Sequence, residues 1–219
     1  MNKLPAVMII ADGSRRWSKD NGKSIEYGYK VSAKILASFY DYLHNKVSSL
    51  YIPVCTSNNL TNRPPEQIPW YMDAFLSAIS LASRPIKFQV VGDFSAVPEY
   101  YQQLFIDLEK RYNDPSGIKI TYTVGWSSDI EVLRLCKESA NNPPKNIDDL
   151  IAMSDIKEPI DLIIRSGKVQ RLSSLIPLFS PYVELCFINE YFPDMTTFML
   201  ESALSDFSKR ERRFGGKDS

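Results

Sequence analysis

The sequence predicts a single α/β domain with a mostly parallel central sheet of about six strands and flanking helices. Short apolar runs alternate along the chain with longer stretches of helical period, which is typical of parallel strands covered by helices. The chain has 219 residues, of which 44% are hydrophobic, so one α/β domain can bury a full core. No internal repeat divides the sequence, and we expect one domain over residues 1–219.

Six apolar runs are predicted as strands, because they are short and most are rich in Ile, Val, Leu or Tyr. They are Ala6 to Ala11, Leu50 to Val54, Phe88 to Gly92, Ile118 to Val124, Leu162 to Ile164 and Leu185 to Ile188. The stretches of helical period between them predict helices. The five best are Tyr29 to His44, Pro69 to Ala82, Pro98 to Tyr112, Asp129 to Ser139 and Thr196 to Arg213.

The composition excludes several classes of protein. Lys plus Arg number 26 and Asp plus Glu number 26, so no global field favours nucleic acid or an anionic membrane. The scattered cysteines Cys55, Cys136 and Cys186 have no zinc-site or disulfide-framework spacing, which suits a reducing compartment. The early apolar run from Leu4 to Ala11 is too short for a signal sequence or a membrane span. We expect a cytoplasmic protein without a nucleic-acid partner or stable membrane insertion.

Arginine-rich segments follow two of the predicted strands, where ligands bind in open α/β sheets. After the first strand, Gly13 permits a tight turn whose N–H groups could cradle an anion. Guanidinium groups hold phosphate oxygens bidentately, so the two segments predict pyrophosphate binding. The segments are Asp12-Gly13-Ser14-Arg15-Arg16-Trp17 and Arg165-Ser166-Gly167-Lys168-Val169-Gln170-Arg171-Leu172-Ser173.

Asp12 is the carboxylate among these basic residues, and it indicates a magnesium site because Mg²⁺ is commonly held by one or two carboxylates plus phosphate oxygens. The loop is neither a Walker nor a Rossmann loop, since GxxxxGK[ST] and GxGxxG are both absent. Two structural alternatives stay open. Arg16 and Arg171 could pair with surface acids, and Asp12 could cap a helix. The clustering of the arginines favours a site.

Several separated motifs resemble the cis-prenyltransferase family, which includes undecaprenyl diphosphate synthase. Residues 6–17 are similar to the opening motif, in which a strand delivers Asp-Gly-Asn-Gly-Arg-Trp. Residues 159–173, 182–187 and 192–194 resemble the closing signature, and residues 210–216 resemble the C-terminal end. The motifs occur in the family's order from about Pro5 to Gly216, which is very improbable by chance.

The resemblance implies a Mg²⁺-dependent synthase that acts on isoprenoid diphosphates and forms a homodimer. It implies catalytic roles for Asp12 and Ser57, with Asp12 and Glu184 as metal-linked carboxylates. Ser57 and Arg63 match the family's middle motif, although ordinary turn chemistry is an alternative for both. Arg213 and Gly215 would reach into the neighbouring subunit's site. The substrate-binding residues implied are Gly13, Ser14, Arg15, Arg16, Trp17, Tyr29, Arg63, Arg165, Arg171, Ser173, Arg213 and Gly215.

The sequence also departs from the family pattern. Ser14-Arg15 replaces the familiar Asn-Gly, Tyr29 replaces a histidine, a basic residue expected near Ile25 is missing, and residues 58–61 lack the usual Glu-Asn-Trp. The departures concentrate on groups that would orient an isopentenyl acceptor and relay its proton. Lys168 also replaces a glycine. A small bacterial branch that includes cyclolavandulyl diphosphate synthase, which couples two dimethylallyl diphosphates head to middle, is resembled by three motifs in combination: Asp-Gly-x-Arg-Arg-Trp-Ser at residues 12–18, Asn21-Gly22-Lys23-Ser24 with Gly28-Tyr29, and residues 171–181.

We therefore expect irregular coupling of two dimethylallyl diphosphates to a lavandulyl- or cyclolavandulyl-type C10 diphosphate. The alternatives are regular 1'-4 condensation with isopentenyl diphosphate, a non-catalytic partner subunit, and an unrelated phosphate-binding protein. The base that removes the final proton is not obvious, because the chain's only histidine, His44, lies near a predicted helix end. A product tunnel could be lined by apolar residues that could equally be plain core: Leu36, Phe39, Met72, Phe75 and Leu76.

Overall fold

Six parallel strands form one sheet at the centre of the structure, a computed structural model that describes residues 5–213 except the side chains of residues 57 and 58. The spatial order is β3-β4-β2-β1-β5-β6, and all five pairings are parallel. This confirms the predicted α/β class. The strands are β1 (Ala6–Ile10), β2 (Ser49–Cys55), β3 (Ile86–Gly92), β4 (Ile118–Val124), β5 (Leu162–Arg165) and β6 (Glu184–Phe187).

Helices alternate with most of the strands along the chain, and the five predicted from sequence are confirmed with small shifts at their ends. Three shorter helices and a 3-10 helix at Phe192–Asp194 were not predicted from the sequence. The α-helices described are α1 (Ser14–Asp20), α2 (Ile25–Leu43), α3 (Ser57–Thr61), α4 (Gln67–Leu81), α5 (Glu99–Arg111), α6 (Ser128–Asn141), α7 (Ile147–Met153) and α8 (Thr197–Lys209).

The largest boundary errors concern α2 and α8. Helix α2 begins before Tyr29 because the Ser24 side chain accepts the Tyr27 N–H and caps the earlier start. Helix α8 ends before the predicted Arg213, because Arg210 takes an extended conformation and turns the chain towards β6. There Arg210 forms an ion pair with Glu184 at 2.8 Å.

The core lies on both faces of β1, because successive side chains of a strand point to opposite faces. Val7 and Ile9 belong to the larger cluster, and Met8 belongs to a smaller cluster on the opposite face. The apolar residues predicted for a tunnel are all on the larger side: Leu36, Phe39, Met72 and Phe75 are buried, and Leu76 is half-buried. Among the described residues, no helix is both long enough and apolar enough to cross a membrane.

The register of the sheet decides where the site lies. Ile10 at the end of β1 pairs with Arg165 at the end of β5. The residues that follow these two strands therefore meet at one edge of the sheet, as parallel strands require.

Candidate active site

Asp12 lies between two arginines at the carboxyl edge of the sheet. Arg165 Nη2 donates to Asp12 Oδ2 and Arg16 Nη2 donates to Asp12 Oδ1, each at 2.9 Å. The side chain of Arg165 is only 6% exposed, whereas that of Arg16 is 44% exposed. The two arginine-rich segments therefore converge on one carboxylate, with a buried cation on one side and an accessible cation on the other.

Two glycines shape the backbone around Asp12. Gly167 has a φ of +102°, and an added Cβ would lie 2.9 Å from Asp12 Cβ. Its carbonyl accepts a hydrogen bond from Arg16 Nη1 at 2.7 Å. Gly13 has a φ of +105°, and an added Cβ would lie 2.5 Å from a ring carbon of Tyr191. Since L side chains are disfavoured at such φ values, glycine is required in both places.

Arg165 also holds the loop that follows β5. Its Nη1 donates to the Arg171 carbonyl at 2.6 Å and lies 3.4 Å from Ser173 Oγ. Ser173 has a φ of +57°, and the side chains of Arg171 and Ser173 are exposed. The loop is thus anchored through its backbone while its polar side chains remain accessible at the edge of the sheet.

A second buried arginine, Arg63, lies in an aromatic setting. The residue is 9% exposed, its guanidinium carbon is 3.7 Å from the centroid of the Tyr71 ring, and its Nη1 donates to Tyr29 Oη. Burial raises the pKa of the Tyr29 phenol, and the positive charges of Arg63 and Arg15 oppose that rise. Among the described residues, Arg63 forms no ion pair with a carboxylate, which leaves its charge available to an anionic ligand.

A largely apolar pocket opens between α2, α4 and the end of β1. Its polar side chains include a serine pair: Ser14 Oγ and Ser32 Oγ are 2.8 Å apart, and Ser32 Oγ donates to the Gly28 carbonyl at 2.8 Å. The lining residues are Ala11, Ser14, Tyr29, Ser32, Ala33, Leu36, Tyr71, Ala74, Phe75 and Phe192. Leu36 and Phe75, two of the predicted tunnel residues, are among them.

The structure does not bring Glu184 to Asp12 within one chain. Glu184 starts β6 and is in register, through Leu162, with Val7. Asp12 follows Val7 by five residues, which corresponds to roughly 16 Å along the strand direction. A metal site linked to both Asp12 and Glu184 is therefore not formed within one chain, and the metal role of Glu184 stays a prediction. Among residues 5–213, no three His, Cys, Asp or Glu side chains are grouped to hold a metal ion.

The remaining predicted residues fall in three places. Trp17 Nε1 donates to Asp194 Oδ1 at 2.6 Å, so the indole ties α1 to the 3-10 helix beside the site. Arg213 is exposed and pairs with Glu211, away from Asp12 in its own chain. Ser57 begins α3, but its side chain lies outside the described residues, as does Gly215.

Sequence reasoning missed Ser32 and Tyr71, which line the pocket, and Tyr191, which packs on Gly13. Ser32 could have been found, because Tyr29, Ser32, Ala33 and Leu36 have the spacing of one helical face. Tyr191 offered no comparable signal.

Comparisons with known proteins agree on one group of enzymes. A family model described as "Putative undecaprenyl diphosphate synthase" matches residues 10–215. The ditrans,polycis-undecaprenyl-diphosphate synthase ((2E,6E)-farnesyl-diphosphate specific) of Escherichia coli K12 is 28% identical over 238 residues, covering 99% of this chain and 93% of that protein. The chloroplastic dehydrodolichyl diphosphate synthase CPT5 of Solanum lycopersicum is 27% identical over 231 residues, covering 97% of this chain and 74% of that protein.

Two solved structures share the fold. Lavandulyl diphosphate synthase from Lavandula x intermedia, in complex with dimethylallyl diphosphate, superposes with a TM-score of 0.85 at 22% identity, covering 97% of this chain and 99% of that chain. A probable undecaprenyl diphosphate synthase from Campylobacter jejuni gives a TM-score of 0.79 at 20% identity, covering 99% and 100%.

Proposed function

The chain belongs to the cis-prenyltransferase (undecaprenyl diphosphate synthase) family, and on that premise we propose that it couples two dimethylallyl diphosphates head to middle. The chain's relatives are prenyl diphosphate synthases, which makes it a prenyltransferase of isoprenoid biosynthesis, and family membership removes the alternative of an unrelated phosphate-binding protein. The observation that carries the proposal is the small apolar pocket beside Asp12, with Tyr29, Ser14 and Arg63 around it.

Diphosphate binding is supported by cations that have unused donors. Arg63 Nε and Arg165 Nε are buried and have no hydrogen-bond partner among the described residues. Buried donors without partners are costly, so phosphate oxygens at these two places would remove the penalty. One diphosphate would lie against Arg16 and Arg63, and the other against Arg165 and Arg171, where guanidinium groups stabilise the charge on the leaving oxygens.

Asp12 fits the role of the protein's Mg²⁺ ligand. One carboxylate is sufficient when diphosphate oxygens and water complete the coordination. Arg16, which holds Asp12 Oδ1, is exposed and can move away, so that oxygen is available to a cation. Mg²⁺ bound there would neutralise charge on the diphosphate and promote its departure.

Irregular coupling is supported by where the departures from the family pattern lie in the fold. Ser14 and Tyr29 line the pocket, and the charge of Arg15 acts on Tyr29. The positive charge of Arg15 suits the diphosphate of a second dimethylallyl unit. That unit serves as the acceptor, so its own diphosphate does not need to leave.

Regular 1'-4 condensation with isopentenyl diphosphate is the second candidate. It is favoured by the names of the curated relatives, which are undecaprenyl and dehydrodolichyl diphosphate synthases.

We also propose a homodimer in which Glu184 and Arg213 serve the partner's site. The support is that neither residue reaches Asp12 within one chain, so a site that uses them would take them from a partner. Co-expressing Asp12→Asn and Arg213→Ala chains tests it. Mixed dimers should regain about a quarter to a half of wild-type turnover, and a mixture as inactive as its parents would refute the shared site.

The substrate test incubates purified enzyme with Mg²⁺ and dimethylallyl diphosphate, with and without isopentenyl diphosphate. The products are dephosphorylated and identified by mass spectrometry. A lavandulyl-type skeleton from dimethylallyl diphosphate alone is expected. Linear products that require isopentenyl diphosphate would refute irregular coupling and establish the second candidate.

A further inference from the structure

We propose that Ser14 Oγ is the group that accepts the proton lost at the end of the coupling reaction, and that Ser32 is the positioning residue that orients it. The inference rests on the proposed prenyl transfer, but it applies to either mode of coupling. It starts from two hydrogen bonds whose directions are fixed by the number of protons available.

The direction of the serine pair follows from Gly28. Ser32 has one hydroxyl proton, and the Gly28 carbonyl, 2.8 Å away, can only accept it. Ser14 Oγ, 2.8 Å from Ser32 Oγ, must then donate its own proton to Ser32. Two hydroxyl protons are thereby committed away from the pocket.

The consequence is that Ser14 presents lone pairs to the pocket that it lines. Ser14 is 9% exposed, so this oxygen lies in an apolar setting where bulk water does not compete. A hydroxyl fixed as an acceptor places the negative end of its dipole towards a carbocation held in the pocket. The oxygen can therefore both stabilise the cation and receive its proton.

The other polar groups of the pocket are less suited to this task. Tyr29 Oη already accepts a hydrogen bond from Arg63, and the Tyr71 ring lies under the same guanidinium. Positive charge beside a phenol oxygen disfavours its protonation. His44 follows Tyr29 by 15 residues along α2, roughly 22 Å away, and does not line the pocket.

The step balances as follows. The C1–O bond of the first dimethylallyl diphosphate breaks and its electrons leave with diphosphate. The double bond of the second unit attacks C1, and a tertiary cation forms on the second unit. A C–H bond next to the cation then breaks, in a methyl group for head-to-middle coupling or at C2 for 1'-4 condensation with isopentenyl diphosphate. Its electrons form the new double bond, and the proton goes to Ser14 Oγ. Ser14 passes the proton to an oxygen of the departed diphosphate, so the enzyme returns to its starting state.

A neutral hydroxyl is sufficient because a tertiary carbocation is a far stronger acid than a protonated alcohol. The role of the protein is then to decide which C–H bond is broken, by placing one acceptor in an otherwise apolar pocket. Moving that acceptor should change the position of the double bond in the product as well as the rate.

The experiment compares wild type with Ser14→Ala, Ser32→Ala, Ser32→Thr and Ser38→Ala. Ser38 is the matched control, because its hydroxyl also bonds a backbone carbonyl of α2 but the residue is exposed and outside the pocket. Each protein receives Mg²⁺ and dimethylallyl diphosphate, with isopentenyl diphosphate if the wild type requires it. Diphosphate release, total coupled product and the ratio of double-bond isomers are measured separately.

Ser14→Ala should lower coupled product by about 100-fold, the scale of a lost proton acceptor, while diphosphate release falls much less. Alcohols formed when water captures the cation should account for the diphosphate released without coupling. The ratio of double-bond isomers should also change. Ser32→Ala should shift the isomer ratio in the same direction by a smaller amount, Ser32→Thr should restore it, and Ser38→Ala should match wild type. A variant that carries both Ser14→Ala and Ser32→Ala should lose no more coupled product than Ser14→Ala alone.

An unchanged isomer ratio with unchanged partition between release and coupling in Ser14→Ala would refute the inference and assign the proton directly to diphosphate. Far-ultraviolet circular dichroism and thermal melting check the fold of each variant. If Ser14→Ala does not fold, Ser32→Ala decides, because an unaltered isomer ratio there contradicts the oriented acceptor. A wild-type enzyme without prenyl transfer would instead refute the proposed function, a result distinct from active enzyme with an insensitive Ser14.

Discussion

Replacing Asp12 by Asn tests the organisation of the site most directly. The substitution keeps the shape of the side chain but leaves one oxygen acceptor where the carboxylate serves two arginines at 2.9 Å. The bond to Arg16 contributes little, because that side chain is 44% exposed and exposed ion pairs contribute about 0 to 1 kcal/mol.

The bond to Arg165 contributes more to stability. The side chain of Arg165 is only 6% exposed, and the substitution removes the carboxylate charge of Asp12 that compensates the buried guanidinium. A hydrogen bond to a charged group contributes about 1.5–3 kcal/mol, and the partly exposed Asp12 places this one near the middle of that range. We therefore expect Asp12→Asn to lower the free energy of unfolding by about 2 kcal/mol while the fold is retained. Turnover should fall by 10³-fold or more, because loss of a metal-linked carboxylate removes several kcal/mol of transition-state stabilisation.

Urea denaturation followed by circular dichroism measures the free energy of unfolding, and product formation at saturating Mg²⁺ measures turnover. Asp20→Asn is the matched control, since Asp20 is an exposed acid nearby in the sequence, at the end of helix α1. It should change neither quantity appreciably. An Asp12→Asn enzyme as active as wild type would refute the magnesium role, and one that is equally stable would refute the dependence of Arg165 on Asp12.

Three further predictions follow from measured contacts. Gly167→Ala should reduce turnover and destabilise the protein by about 1–3 kcal/mol, because the new Cβ would lie 2.9 Å from Asp12 Cβ at a φ of +102°; steady-state kinetics and melting measure both. Phe75→Ala should enlarge the pocket and lengthen the products seen by mass spectrometry, at a stability cost of about 3–5 kcal/mol; products of unchanged length would contradict its limiting role. Burial and the neighbouring Glu131 raise the pKa of Asp155 to about 7, so above about pH 4 the folded state holds a proton that the unfolded state has lost. The free energy of unfolding should therefore fall as pH rises from 4 to 7. Urea titrations at several pH values measure this slope, which Asp155→Asn should remove.

The fold could be predicted because its strands are short apolar runs with a helix between most of them. Ile118–Val124 was predicted to the residue, and the other strands differ by one or two residues at an end. Helix α1 could not be predicted in this way, because Ser14–Asp20 contains one apolar residue, Trp17, and therefore no helical period. Its position depends on tertiary contact instead: an added Cβ on Gly28 of α2 would lie 2.0 Å from Ser18 Oγ, so the two helices pack closely only at a glycine.

The position of Glu184 shows why motif order does not give geometry. The sequence identifies an acid beside an apolar run, but it does not say at which end of the strand the acid lies relative to Asp12. That depends on strand register, because Leu162 pairs with Glu184 at the start of β6 whereas Arg165 is at the other end of β5. A three-residue difference along a strand moves a side chain by about 10 Å, which is enough to remove Glu184 from the site of its own chain.

The same reasoning explains what the fold adds to the departures from the family pattern. Ser14, Tyr29 and Arg63 are far apart in the sequence, and each taken alone has an ordinary structural explanation. In the fold, Ser14 and Tyr29 line one pocket, and Arg63 donates to Tyr29. The donors of Arg63 favour an anion beside Tyr29, while the oriented Ser14 oxygen favours a cation in the pocket. Because these groups surround one pocket, substitutions at these positions act on one bound isoprenoid unit, and their effects should depend on one another rather than add.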